Sequence, residues 1–196
     1  MIPLLQDKVI VLSGVGPGLG RSLGEQAAAM GADLVLVSRT ESRLEKMAAT
    51  VREMGRRALV VPTDIQDEVA RERLVEAALN EFGRVDCLIN NAFAIPPMDP
   101  LTSLSVDSLR IAQETNVFAP LRLSALFADA LAETPEKPGG SIIMLNSCVV
   151  YSSQPSTPAT SSPRAVSRTW PPAWPPSWGR GGSGSTASRR RTSTRT

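Results

Sequence analysis

A chain of 196 residues with a formal net charge of +2 is long enough to bury one good core, so one folded domain is expected. It has no histidine and two cysteines; this excludes a Ser-His-Asp triad and a His-ligated metal, leaves a poor zinc site, and provides no disulfide framework. No apolar run approaches the roughly 20 residues that cross a bilayer, and no basic-then-apolar leader opens the sequence, so neither a membrane partner nor a secretory signal is expected.

The charge is unevenly spread. Residues 1–151 hold 14 basic and 19 acidic side chains, a net of −5, whereas residues 152–196 hold seven arginines and no acid, a net of +7. All three tryptophans lie in that second part. The expectation is a domain over residues 1–151 and a low-complexity, disordered tail over residues 152–196. Cys87 and Cys148 lie in apolar runs and read as buried free thiols in a reducing cytoplasm, the expected location.

The first signal in chain order is the apolar run Lys8-Val9-Ile10-Val11-Leu12, read as a buried strand. Ser13-Gly14-Val15-Gly16-Pro17-Gly18-Leu19-Gly20 follows, then an alanine-rich helical segment from Arg21 to Met30. Strand, glycine turn and helix N-terminus in that order make a phosphate site. Free backbone N–H groups and the positive end of the helix dipole face the anion, and glycine lets the backbone come close. Gly31 is placed to end the helix, and Asp33 to Val37 reads as the second strand. Glu41 to Met54 is an amphipathic helix closed by Gly55; Ala58 to Val61 is a third strand leading to Asp64. Asp67 to Phe82 has helical spacing and stops at Gly83. Val85 to Ile89 reads as the fourth strand, running into Asn90-Asn91-Ala92-Phe93. One long helical region is expected from about Val106 to Ala132, then a fifth strand over Ser141 to Leu145. Alternating strands and helices imply a doubly wound parallel α/β sheet with helices on both faces.

Residues 8–155 resemble the short-chain dehydrogenases/reductases, through five motifs in register. Ser13-Gly14-x-x-x-Gly18-x-Gly20 is similar to the family's cofactor turn, and Asp64 falls where the family sets an acid against the adenine ring. Asn90-Asn91-Ala92 resembles its Asn-Asn-Ala-Gly motif, with Phe93 in place of the glycine. Asn116 and Ser147 fall where the family keeps its active-site asparagine and catalytic serine. The resemblance implies a Rossmann-like sheet of order 3-2-1-4-5, truncated after strand five. It also implies a nicotinamide cofactor held by Ser13, Gly14, Gly16, Gly18, Leu19, Gly20, Arg39, Asp64, Asn90 and Ala92. The implied activity is oxidoreduction of a small-molecule carbonyl or alcohol, with catalytic Ser147 and Asn116, no metal, and a homo-oligomer as assembly. For single residues local readings stay open: Asp64 as the cap of the next helix, Asn90 and Asn91 as turn residues, Arg39 as a solvated charge.

Cofactor preference is argued from the end of the second strand. An acid there would favour a free ribose 2′-hydroxyl; Ser38-Arg39 stands instead, and a guanidinium suits a 2′-phosphate, so NADP(H) is favoured over NAD(H).

The family also implies a tyrosine 13 residues past the serine and a lysine four beyond it, yet positions 160 and 164 are Thr160 and Arg164. The tail is read as the family's next segment in the wrong frame. If one base was lost near Pro155, the TGG codons of Trp170, Trp174 and Trp178 each came from an original codon ending in TG. Those encode leucine, methionine or valine, an apolar stripe at i, i+4 and i+8. The restored frame accommodates KYAGYKLAK from position 156, with tyrosine at 160 and lysine at 164. Impaired activity is therefore expected of this chain; the alternative function is a catalytically silent nucleotide-binding module acting through partners. As it stands, the tail also offers the polyproline-like Pro171-Pro172-Ala173-Trp174-Pro175-Pro176 and a run of arginines, but no nucleic-acid partner is expected.

Overall fold

The computed structural model describes residues 3–95, 103, 105–135 and 138–146. Ser147, Cys148 and the whole arginine-rich tail lie outside the described residues. Five parallel strands form one sheet, β1 (Val9–Ser13), β2 (Asp33–Ser38), β3 (Ala58–Pro62), β4 (Cys87–Asn90) and β5 (Ser141–Met144), in the order β3-β2-β1-β4-β5. Val11 of the central strand faces Val35 on one side and Leu88 on the other.

The near-continuous apolar strands follow from burial on both faces. Side chains alternate along β1 and β2, and the two sets enter separate cores. Val9, Val11, Val35 and Val37 join Leu74 and Ala78 of α3 (Glu68–Phe82). Ile10, Leu12, Leu34 and Leu36 join α1 (Leu19–Ala29) and α2 (Glu41–Glu53) through Ala27, Leu44, Met47 and Val51. Each buried leucine or valine adds about 1.5–3 kcal/mol to folding relative to exposure. β5 is the outer strand, and Ile143 and Met144 stay 44% and 43% exposed.

Local chemistry sets the ends of the elements. Asp67, not Asp64, caps α3: its carboxylate accepts from the Ala70 N–H at 3.1 Å, and Gly83 ends the helix at φ +69°. Buried Asp33 accepts from Arg56 and Arg57, fixing the corner between α2 and β3. Asp86 takes the Val9 N–H at 2.9 Å together with Arg84. Beside it, burial and then the Asp86 charge push the Cys87 thiol up to about 11, so this half-buried, free cysteine stays protonated near neutrality.

The region expected as one long helix is interrupted. α4 (Val106–Gln113) passes through a π-turn over Glu114–Phe118 into α5 (Ala119–Leu126), and after Phe127 a short α6 (Ala128–Leu131) follows. Pro120 has no N–H to give at the start of α5, and Asn116 is drawn into pairing with another segment; both favour a register change here.

Candidate functional site

Strand order reverses at β1, with β2 on one side and β4 on the other, and a cleft of about 500 Å³ opens there at the C-terminal ends of the strands. Ser13, Gly14 and Val15 form its floor, Ser38, Arg39, Thr40 and Arg43 one end, and Asp64, Ile65 and Gln66 a wall. Asn91, Ala92, Phe93 and Ala94 line the side towards β4, with Ile111 and Thr115 behind them.

The glycine turn is held by backbone geometry that only glycine tolerates. Gly14 has φ +98°, and a Cβ there would lie 2.3 Å from the Ala92 nitrogen. Its N–H donates to Val37 O at 2.8 Å, and its carbonyl accepts from Asn91 Nδ2 at 2.7 Å. Gly20 packs against that carbonyl, where a Cβ would come within 2.3 Å of it. By contrast, nothing lies within 4 Å of the Cβ positions of Gly16 and Gly18. α1 then begins with no side-chain cap, and the N–H groups of Gly18, Leu19 and Gly20 have no acceptor among the described residues. These are donors for an anion at a helix N-terminus.

Asn116 is a structural clamp on the far wall. Only 8% exposed, it accepts from the Ala94 N–H at 2.9 Å through Oδ1 and donates to the Ala94 carbonyl at 2.8 Å through Nδ2. One carboxamide thus satisfies both backbone groups of a residue that lines the cleft. Gln66 ties the opposite walls together, donating to Thr115 Oγ1 at 2.6 Å, while Asp64 Oδ1 accepts from the Gln66 N–H at 3.0 Å.

The residues singled out from sequence fall into three groups. Ser13, Gly14, Arg39, Asp64 and Ala92 line the cleft together. Gly16, Gly18, Leu19 and Gly20 belong to the turn and helix start beside it, with Gly16 lining an adjoining pocket. Asn90 sends Nδ2 away from the cleft, to Ser124 Oγ at 3.2 Å, with Oδ1 buried and unpartnered. Ser147 lies outside the described residues. Sequence reading passed over Asn91 and Arg43. Asn91 was within reach of it, because neighbouring residues at a strand end point to opposite sides. Arg43 left no such signal, because it stands on the amphipathic helix α2 like any solvated cation.

A nicotinamide dinucleotide fits these residues. The Ser13 hydroxyl is buried with no partner on the cleft floor, the turn leaves room at Gly16 and Gly18, and Arg39 and Arg43 have no carboxylate partner among the described residues. The parallel sheet, the switch-point cleft and the glycine turn define a Rossmann-type nucleotide-binding fold.

Comparison with known proteins makes the assignment specific. The family profile described as short chain dehydrogenase matches residues 8–165, and the chain belongs to that family of NAD(P)-dependent oxidoreductases. An uncharacterized oxidoreductase of Mycobacterium tuberculosis is 34% identical over 143 residues, 73% of this chain and 53% of that protein. The peroxisomal 2,4-dienoyl-CoA reductase of Danio rerio is 32% identical over 155 residues, 77% and 49% of the two chains. Among solved structures, a 7α-hydroxysteroid dehydrogenase in complex with NADH and 7-oxo glycochenodeoxycholic acid superposes with a TM-score of 0.77. It is 25% identical, and the match covers 84% of this chain and 62% of that one. An NAD+-bound xylitol dehydrogenase shares the fold at a TM-score of 0.76 and 23% identity, over 83% and 61% of the two chains. The chain thus spans about half the length of the relative from M. tuberculosis. No helix among the described residues is long and apolar enough to cross a membrane.

Proposed function

We propose that this chain derives from an NADP(H)-dependent enzyme interconverting a carbonyl and an alcohol, and that in its present form it binds the cofactor but turns over poorly. The carrying observation is the end of the cleft beyond β2, where Ser38, Arg39, Thr40 and Arg43 stand and no carboxylate does. Two guanidiniums match a ribose 2′-phosphate, whereas an acid there would accept from a 2′-hydroxyl. The bound dinucleotide would supply or take up hydride. Ser13, Gly14, Asn91 and the helix start would hold its body, with Asp64 and Ile65 beside the adenine. Asn116 would keep the Ala94 segment of the loop after β4 in place.

Turnover needs a proton donor at the substrate oxygen. Ser147 would hydrogen-bond that oxygen, but positions 160 and 164 hold Thr160 and Arg164 rather than the tyrosine and lysine of the family pattern. Loss of general acid catalysis slows such a step by about 10²- to 10⁴-fold. The same substitutions support the second reading, a nucleotide-binding module that acts through partners.

The test compares this chain with a version carrying the restored base near codon 155. NADPH should bind both, about tenfold or more tighter than NADH, with Arg39→Asp reversing the order. Only the restored version should reduce a panel of carbonyl compounds. Robust turnover by the present chain at its confirmed mass would refute the impairment. Tighter NADH binding would refute the cofactor preference, and an unambiguous in-frame read across codons 154–158 from independent isolates would refute the frame shift.

A further inference from the structure

The described cations divide into two kinds. Eight of them, Arg21 with Glu25 and Arg84 with Asp86 among these, stand in ion pairs. Arg39, Arg43 and Lys46 have no carboxylate partner among the described residues; Arg39 stands just before α2, and Arg43 and Lys46 lie in its first two turns. Arg43 and Lys46 are three residues apart and so share a helix face. With Thr50 they line a second pocket of about 280 Å³, whose far wall is Gly16, Pro17, Arg21 and Glu25. Arg43 and Val15 belong to both this pocket and the cofactor cleft, so the two are continuous. The carboxylate in the second pocket, Glu25, is taken up by Arg21 at 2.7 Å. A strip of uncompensated positive charge therefore leads to the cleft across a domain whose net charge is −5. Clustered like charge of this kind concentrates anions at its own position and raises association rates.

We propose that Lys46 is a steering residue: it lies outside the cofactor cleft, attracts the phosphates of the incoming dinucleotide, and hands the 2′-phosphate to Arg43 and Arg39. The inference rests on the NADP(H) reading and adds a kinetic element to it. A charge at the rim of a site changes the association rate and its salt dependence far more than the dissociation rate.

Stopped-flow NADPH fluorescence on the full chain tests this. Lys46→Gln should lower the association rate constant about threefold at low ionic strength (about 0.02 M), and Lys46→Glu more, both converging on the parent in high salt. The dissociation rate should stay the same, and NADH, which carries less negative charge, should respond less. Arg73→Gln is the control, because Arg73 also lacks a carboxylate partner but sits on α3, across the sheet from α2. It should change nothing. An unchanged association rate and salt slope in folded Lys46→Gln would overturn the inference while NADPH binding itself stands. An equal slowing by Arg73→Gln, or a change confined to dissociation, would overturn it as well. No NADPH binding by the folded parent would remove the cofactor reading and this inference with it.

Discussion

Two glycines two residues apart should fail in opposite ways when given a methyl group. In Gly14→Ala the new Cβ meets Ala92 N at 2.3 Å, Ala92 Cα at 2.5 Å and Asn91 C at 2.8 Å, all backbone atoms of the loop after β4. Overpacking of this kind costs about 1–3 kcal/mol. The φ of +98° adds backbone strain of about 1–3 kcal/mol for a residue with a side chain. The sum, roughly 2–6 kcal/mol, is a large part of a typical stability of about 5–15 kcal/mol. Moving the loop would also strain the Asn91-to-Gly14 hydrogen bond of 2.7 Å. Gly16→Ala meets nothing within 4 Å and has no left-handed backbone, so its stability should stay within about 0.5 kcal/mol of the parent. Its cost should appear only with ligand, as a weakening of NADPH binding by about tenfold or more, because the methyl fills the approach to the helix start. Gly18→Ala lies between them, with φ +90° and open space around it. Chemical denaturation read by circular dichroism, paired with NADPH titration, separates the three. A Gly14→Ala protein as stable as the parent, or a Gly16→Ala protein with parental affinity, would refute the division between a packing glycine and an approach glycine.

Asn116→Ala should destabilise the fold by about 2–4 kcal/mol, because it leaves the Ala94 N–H and carbonyl unpaired beside the cleft; thermal melting checks this, and Asn116→Asp should recover only the acceptor half. Asp86 gives a pH signature. Burial alone would raise its carboxyl, but the hydrogen bond from Arg84, the Val9 N–H and the charges of Arg84 and Lys8 outweigh it and hold the group below its ordinary value. A depressed folded value stabilises the fold above the unfolded value and loses that contribution as pH falls below about 4. Melting temperatures of Asp86→Asn and parent should therefore differ most near neutrality and converge in acid.

The central strands were legible because the apolar runs of β1 and β2 are buried on both faces, so no alternation had to be guessed. The helix ends at Gly31, Gly55 and Gly83 were legible because each adopts positive φ, a local requirement written in one residue. Asp64 and Asp67 were separable only in three dimensions. Both precede the same helix, but only Asp67 reaches the Ala70 N–H, while Asp64 turns back on Gln66 and faces the cleft. The break in the long helix was legible only in part: Pro120 stands in the sequence, but the recruitment of Asn116 by Ala94, 22 residues away, does not. Periodicity sees neighbours along a helix and is blind to a side chain recruited by another segment. Arg43 escaped for a related reason: a cation on an amphipathic helix looks solvated until the missing carboxylate and the shared cleft are seen together.

On the proposed reading, binding and turnover draw on different stretches of this chain. Every described residue around the cleft lies between Ser13 and Thr115, and these walls brace one another through Asn91 to Gly14, Gln66 to Thr115 and Asn116 to Ala94. None of those contacts uses a residue after β5. The positions that would handle the proton all follow β5, from Ser147 to Arg164. On that reading, a change of sequence after Pro155 acts on the chemistry, while the described contacts that brace the cleft all lie before it. On the proposed reading, NADPH affinity and carbonyl reduction are independent measurements on this chain, and retention of the first with loss of the second is the outcome that its geometry favours.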